Sequence, residues 1–244
     1  MSTPLKSTAP IADRPALDPQ VARRAATALA LAALLATAGF TVLGTVFEYP
    51  QILEEPVADI LALFRDHQAA VMTWFAVLVV SSALLAPAGI WLGRLAGGPL
   101  GRWIALLGIA AATVQVIGLQ RWVTLVPSIS NDALDPATRA AAEDRFELLH
   151  TVLGKVIGET LGYALTAAFT VLVVVALRRS VLPTWLAAAG ILSAALIATG
   201  VVIPFYDLAS LTNFAGYVLW CLWLIAVAVV LFRSTRHRRA EDTL

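Results

Sequence analysis

Six stretches of the chain, roughly Val21 to Phe47, Gln68 to Leu95, Leu100 to Pro127, Phe146 to Leu177, Val181 to Pro204 and Leu211 to Phe232, are each apolar for twenty residues or more. A bilayer's hydrocarbon core takes about 20 apolar residues per helix, so each stretch is long enough to cross it. The whole chain agrees, at 59% hydrophobic and 14% charged residues with a mean hydropathy of +0.82, more apolar than the surface of a soluble domain tolerates. Ala and Leu dominate the stretches, and the alternating pattern of a membrane barrel strand is missing. The expected fold is therefore all-α: a polytopic membrane protein with six transmembrane helices in a bundle and two short external amphipathic helices.

Lys and Arg near span ends are retained on the cytoplasmic side, and here they divide cleanly. Twelve of the seventeen, from Lys6 and Arg14 through Arg94, Arg102, Arg178 and Arg179 to Arg239, fall on one side. Eleven of the sixteen acids, among them Glu48, Glu54, Asp132, Glu147 and Asp207, fall on the other. This places both termini in the cytoplasm of a multi-pass protein of the plasma (inner) membrane. The start "RRAATALALAALLATAGF" has the outline of an export signal, yet its apolar run continues to Phe47 and reads as a span. The single cysteine, Cys221, excludes an internal disulfide and reads as packing in span six.

Residues 1–20, with four prolines and no hydrophobic period, read as a disordered cytoplasmic tail. Residues 21–233 form the transmembrane domain, and 234–244 a basic cytoplasmic tail. Outside the spans, Val57, Ile60, Leu61 and Phe64 repeat at the spacing of an amphipathic helix lying on the outer face, with Pro56 in its first turn. Asp135 and Pro136 predict the start of a second helix that runs into span four. Unbroken to Leu177, it would be about 63 Å long, so it must project from the membrane or bend. Pro50, Pro127 and Pro204 are evenly spaced near outer span ends, but their surroundings do not match, and no internal repeat is read from them.

Polar residues inside the spans are costly and mark sites or packing. Gly154, Gly158 and Gly162 strip one face of span four and let a neighbouring helix approach closely. Lys155 and Glu159, four residues apart, are placed to pair beside that face. Arg121 lies within span three, deep enough to need a partner or to snorkel to the headgroups. Thr37, Thr41 and Thr45 repeat every four residues on span one and read as helix contacts that bond back to their own carbonyls. Glu147 and His150 make half of the E-x-x-H pair that di-iron bundles use twice. With only three histidines and His237 on the cytoplasmic side, His67, Glu147 and His150 are weak metal candidates, and no metal or other cofactor is expected. Tyr49, Trp122, Phe205 and Tyr206 read as anchors at the outer interface, and Trp91, Trp103 and Trp185 at the inner one. No phosphate-binding loop, serine elbow or nucleic-acid module occurs.

"FEYPQIL", "GLQRWVTLVPSI", "FELLHTVLGKVIGETLGYALTA" and "AGYVLWCLWLIAVAVVLF", taken in this order, resemble a bacterial family of six-helix membrane proteins catalogued as a domain of unknown function, number 4386. The resemblance covers roughly Arg23 to Phe232 and implies a membrane fold with no established activity, so it carries over no catalytic residues. From the residues themselves, the leading reading is a ligand pocket opening outward, lined by Glu48, Arg121, Glu147, His150, Lys155 and Glu159, that binds or moves a small ligand. The alternatives are a membrane-embedded metal or cofactor enzyme, and a regulatory or structural subunit whose glycine stripe receives a partner membrane helix. The expected partners are the lipid bilayer and a small ligand or partner helix, and no nucleic acid.

Overall fold

The computed structural model describes residues 18–206 and 208–241, with side chains through Thr235. Most of the expected N-terminal tail, Asp207, the side chain of His237 and the last three residues lie outside the described residues. Every regular element among those described is helical. Helix α1 spans Pro19–Val46, α2 Val57–Asp66, α3 Gln68–Ala83, α4 Leu85–Ala96, α5 Gly98–Thr124 and α6 Val126–Asp132. Then come α7 Arg139–Leu149, a wide-turn helix His150–Leu161, α8 Gly162–Leu177, α9 Thr184–Ala198, a tight last turn Thr199–Phe205, and α10 Ala209–Glu241. Continuous helix joins several of these into six candidate spans: Pro19–Val46, Gln68–Ala96, Gly98–Asp132, Arg139–Leu177, Thr184–Phe205 and Ala209–Thr235.

Local chemistry sets the ends and breaks. The Asp18 carboxylate accepts from the backbone N–H of Gln20 (2.8 Å) and Val21, with Pro19 in the first turn. The first helix thus starts two residues inside the expected tail, and α10 likewise runs on to Glu241 through most of the expected C-terminal one. Proline lacks a backbone N–H and crowds the carbonyl four residues back. Pro87 cannot bond to Ala83, and span two breaks between α3 and α4; Pro127 and Val123 stand in the same relation where α5 gives way to α6. Pro204 lies within the tight turn that ends span five.

Each span packs on its sequence neighbours, and span six returns to span one, so the six close into a ring. Spans one and four, two and five, and three and six make no substantial contact across it. Neighbouring axes about 8–10 Å apart put opposite axes roughly 16–20 Å apart, and helices about 10 Å thick leave a central gap to be filled. At the end bearing the span-end arginines, α4 reaches across to α8 and closes the gap. There the ring of Phe169 lies over Gly89 and Gly108, whose backbones touch.

Two apolar cores stack along the bundle. The one at the arginine end includes Ala33, Leu85, Ala112, Ala167 and Leu224. The other, at the opposite or proline end, is built on Leu43, Phe47, Leu78, Trp122 and Phe146, and α2 contributes Ile60, Leu61 and Phe64 to it. Trp122 is its centre: it is fully buried, stacked on Phe75 (5.0 Å between centroids, 10° between planes) and meets Phe47 edge-on at 5.1 Å. The expectation of Trp122 as an interfacial anchor is thereby corrected, because the indole fills the space that the ring leaves at this end. Helix α2 packs on α6 and α7, where the Arg65 guanidinium donates to the Ser130 carbonyl (3.1 Å).

Candidate functional site

A polar band separates the two cores, and the register of each span shows where it falls. Between the cores lie Thr37 on span one, Ser81 and Ser82 on span two, Gln115, Gly118 and Arg121 on span three, and the stretch from His150 to Thr166 on span four. Side chains tie the band together across helices, since buried hydroxyls and amides need partners. The Ser82 hydroxyl donates to the Gln115 side-chain oxygen (3.2 Å), and the Gln115 amide donates to the Thr166 hydroxyl (2.8 Å). Thr166 accepts from Thr170 through its carbonyl, and the Trp220 indole N–H donates to the Thr170 hydroxyl (2.8 Å).

Arg121 is the charged centre of the band, with only 4% of its surface exposed. Nη1 donates to the Gly118 carbonyl of its own helix, and Nη2 lies 3.3 Å from His150 Nδ1. The guanidinium fits because Gly154 has no side chain: a Cβ there would sit 2.7 Å from Nη2. Arg121 Nε has no partner, nor do the buried Trp122 Nε1 and His150 Nε2. Among the described residues no carboxylate lies within ion-pair distance of this buried cation, the one ion pair being Arg145 with Asp132 at the surface. Leaving a buried cation without a counter-ion costs several kcal/mol, so the site is electrostatically incomplete.

The wide-turn helix His150–Leu161 bonds five rather than four positions back, a rare pattern found frequently at functional sites. Thr160 follows it, its hydroxyl donating to the Lys155 carbonyl at 2.9 Å. The Lys155–Glu159 ion pair expected from α-helical spacing does not form: Lys155 is exposed, whereas Glu159 is half-buried. In a wider turn the fifth residue, Thr160, takes the place above Lys155 that the fourth would hold in an α-helix. Glu159 lies in the fields of both Arg121 and Lys155 without pairing with either, and close enough to Tyr163 and Tyr217 for its charge to act on both. Among the described residues its carboxylate makes no hydrogen bond or ion pair.

Tyr49 reaches the same region from beyond the end of α1. Glu48 takes a left-handed conformation, φ 51°, which side chains disfavour. The chain turns back so that the Tyr49 N–H donates to the Leu43 carbonyl (3.2 Å), and the phenol lies against Phe40 and Phe75. Burial pushes the Tyr49 phenol above its ordinary range, the Glu159 carboxylate adds to the rise, and Arg121 opposes it.

Exposure changes along spans one and six. Ala26, Ala33, Thr37, Phe40 and Gly44 share one face of α1 by helical spacing. The two alanines are fully buried, yet Thr37, Phe40 (42%) and Gly44 are exposed. Span six changes in step: Leu231, Ala228 and Leu224 are buried, whereas Cys221 and Tyr217 are partly open and Phe214 is 61% exposed. These faces are therefore covered at the arginine end and exposed toward the proline end.

Of the residues predicted for a pocket, Arg121, His150 and Glu159 come to this band, while Glu48, Glu147 and Lys155 are exposed. Glu147 and His150 are split, the first outward and the second buried, and His67 is exposed. Among the described residues no three His, Cys, Asp or Glu side chains gather as metal ligands. The glycine stripe is occupied by span three of the same chain: Gly154 faces Arg121, Gly158 touches Gly118, and Gly162 faces the Gln115 side chain. Thr37 and Thr41 bond back four residues and Thr45 three. Sequence reasoning missed Tyr163 and Tyr217. The available signal was a phenol hydroxyl in mid-span, which must find a polar neighbour.

The model of a family described as a domain of unknown function, DUF4386, matches residues 25–228. The chain belongs to that family. No curated protein and no solved structure matches it.

Proposed function

We propose that this DUF4386 family member binds or moves a small ligand through a polar pocket that opens on the outer side of the plasma membrane, between spans one and six. The observation carrying this is Arg121, a cation buried in mid-bundle with an unpartnered Nε and no carboxylate within ion-pair distance among the described residues. Intramembrane charges are expensive and face protein partners or water-filled cavities. A guanidinium that structure alone leaves incomplete is suited to a ligand that completes it.

The ring architecture supports the reading, because its central gap is closed at the arginine end by α4 and α8 and filled at the proline end by the Trp122 core, leaving the exposed faces of spans one and six as the way to the band. Basic span ends on the closed side support placing that side in the cytoplasm together with both termini. The alternatives lack a comparable observation: His67, Glu147 and His150 are not gathered, and the glycine stripe is filled from within the chain.

The test is access to the band. In a Cys221→Ser background, Glu159→Cys should react with a membrane-impermeant thiol reagent added from the outside of intact cells. Complete protection of that cysteine in folded protein would remove the pocket.

A further inference from the structure

We infer that the ligand of this pocket is a zwitterion, with an oxyanion group held by Arg121 and an ammonium group held by Glu159 among Tyr49, Tyr163 and Tyr217. This deepens the ligand-pocket reading and rests on it.

Two opposite charges stand in the band without a close partner. Arg121 is buried with Nε free to donate, and a guanidinium edge suits the paired oxygens of a carboxylate or phosphate. The Glu159 carboxylate accepts no hydrogen bond among the described residues, although it lies within the field of Arg121. The two feel each other's charge but form no direct ion pair. A ligand with one charge would satisfy one group and leave the other stranded in a low-dielectric site. A ligand carrying both, a short linker apart, satisfies each and enters as a neutral whole.

The surroundings of Glu159 favour an ammonium at that end. Tyr163 and Tyr217 stand 5.8 Å apart in an edge-to-face pair, and Tyr49 is near enough to Glu159 to feel its charge. Aromatic faces around a carboxylate attract an alkylammonium through their negative quadrupoles. No second carboxylate is needed. The chemistry is shared by soluble amino-phosphates or amino acids and by the phosphoethanolamine headgroup of a membrane lipid, which would enter sideways through the opening between spans one and six.

The experiment is thermal melting of the full chain with O-phosphoethanolamine, with ethanolamine and inorganic phosphate as single-charge controls. Phosphoethanolamine should raise the melting temperature saturably, at a half-saturating concentration at least about tenfold below either control. Arg121→Gln and Glu159→Gln should each weaken it by roughly tenfold or more, the worth of a hydrogen bond to a charged group. Each variant's melt without ligand reports its folding, and Glu159→Gln decides the matter if Arg121→Gln does not fold. A parallel arm compares nanodiscs of phosphatidylglycerol alone with nanodiscs containing phosphatidylethanolamine. Stabilisation there, with none from the soluble compound, assigns the zwitterion to a lipid and still requires both side chains. Equal binding of a single-charge control, or stabilisation by nothing tested, overturns the zwitterion. If the cysteine placed at 159 is labelled, the pocket survives that failure; if it is protected, both readings fall.

Discussion

Gly158 and Gly118 meet backbone to backbone: a Cβ on the first would lie 2.9 Å from the Cα of the second, and the reverse distance is 2.7 Å. Spans three and four therefore touch backbone to backbone, and one turn away Arg121 lies in the space opened at Gly154. Closeness at one pair creates the seat for the cation at the next.

Alanine substitutions along this seam should fall in a fixed order. Gly158→Ala pushes against backbone and should cost about 1–3 kcal/mol, as overpacking does. Gly154→Ala meets the end of the movable Arg121 side chain, so it should cost less in stability and more in ligand affinity. At Gly162 the nearest atom is Gln115 Cγ at 3.3 Å, and the helix preference of Ala over Gly, up to ~1 kcal/mol, should make the change close to neutral. Equilibrium unfolding in detergent measures all three; equal losses would mean that the contact is not as close as described.

Trp122 and Trp103 make a second contrast. Trp122 is fully buried among Phe47, Phe75 and Phe146, while Trp103 is 60% exposed. Trp122→Ala should cost about 3–5 kcal/mol, as for a core aromatic, and Trp103→Ala much less. Similar small losses for both would return Trp122 to the interfacial role that its place near a span end suggests.

That residue shows where sequence stopped being legible. Hydropathy gives the six helices because a bilayer demands them one by one, whatever their neighbours do. Pro87, Pro127 and Pro204 likewise act on their own helix, and the breaks lie beside them. Trp122 and Tyr49 depend on how the helices close into a ring, which leaves a gap at the proline end that only large inward rings can fill. A tryptophan near a span end has one sequence signature for both fates. For the site, Arg121, His150 and Glu159 were legible as polar residues in apolar helices. Glu147 and Lys155 shared that signal, but helix rotation turned them out of the bundle, and Glu48 lies in the left-handed turn beyond α1. The wide turn had no marker as plain as a proline.

Tyr49 gives the pH dependence. Its phenol titrates above the ordinary value in the folded protein because burial disfavours the phenolate. In the unfolded chain it ionises near pH 10. Above that pH the unfolded state holds fewer protons than the folded one, so stability falls as pH rises, and below it the contribution is fully present. Melting between pH 8 and 11 should therefore show a steeper alkaline loss for the wild type than for Tyr49→Phe. Parallel curves would mean that the phenol is open to water.

The wide turn keeps Lys155 and Glu159 from pairing. A self-contained buried ion pair would make each single substitution strongly destabilising, by about 3–5 kcal/mol, with the double substitution far milder than the sum. Here Lys155 is exposed and unpaired with Glu159. Lys155→Met should thus change stability by no more than the roughly 0.5 kcal/mol of an ordinary surface substitution. Glu159→Leu should act through the band, altering ligand binding and leaving Arg121 without the nearby negative charge. Because the two side chains share no direct contact, the double variant should come within about 0.5 kcal/mol of the sum of the singles, as for independent sites. A coupling energy well beyond that would mean that the carboxylate leaves Tyr163 and Tyr217 to join the lysine, and with it the ammonium site would be lost.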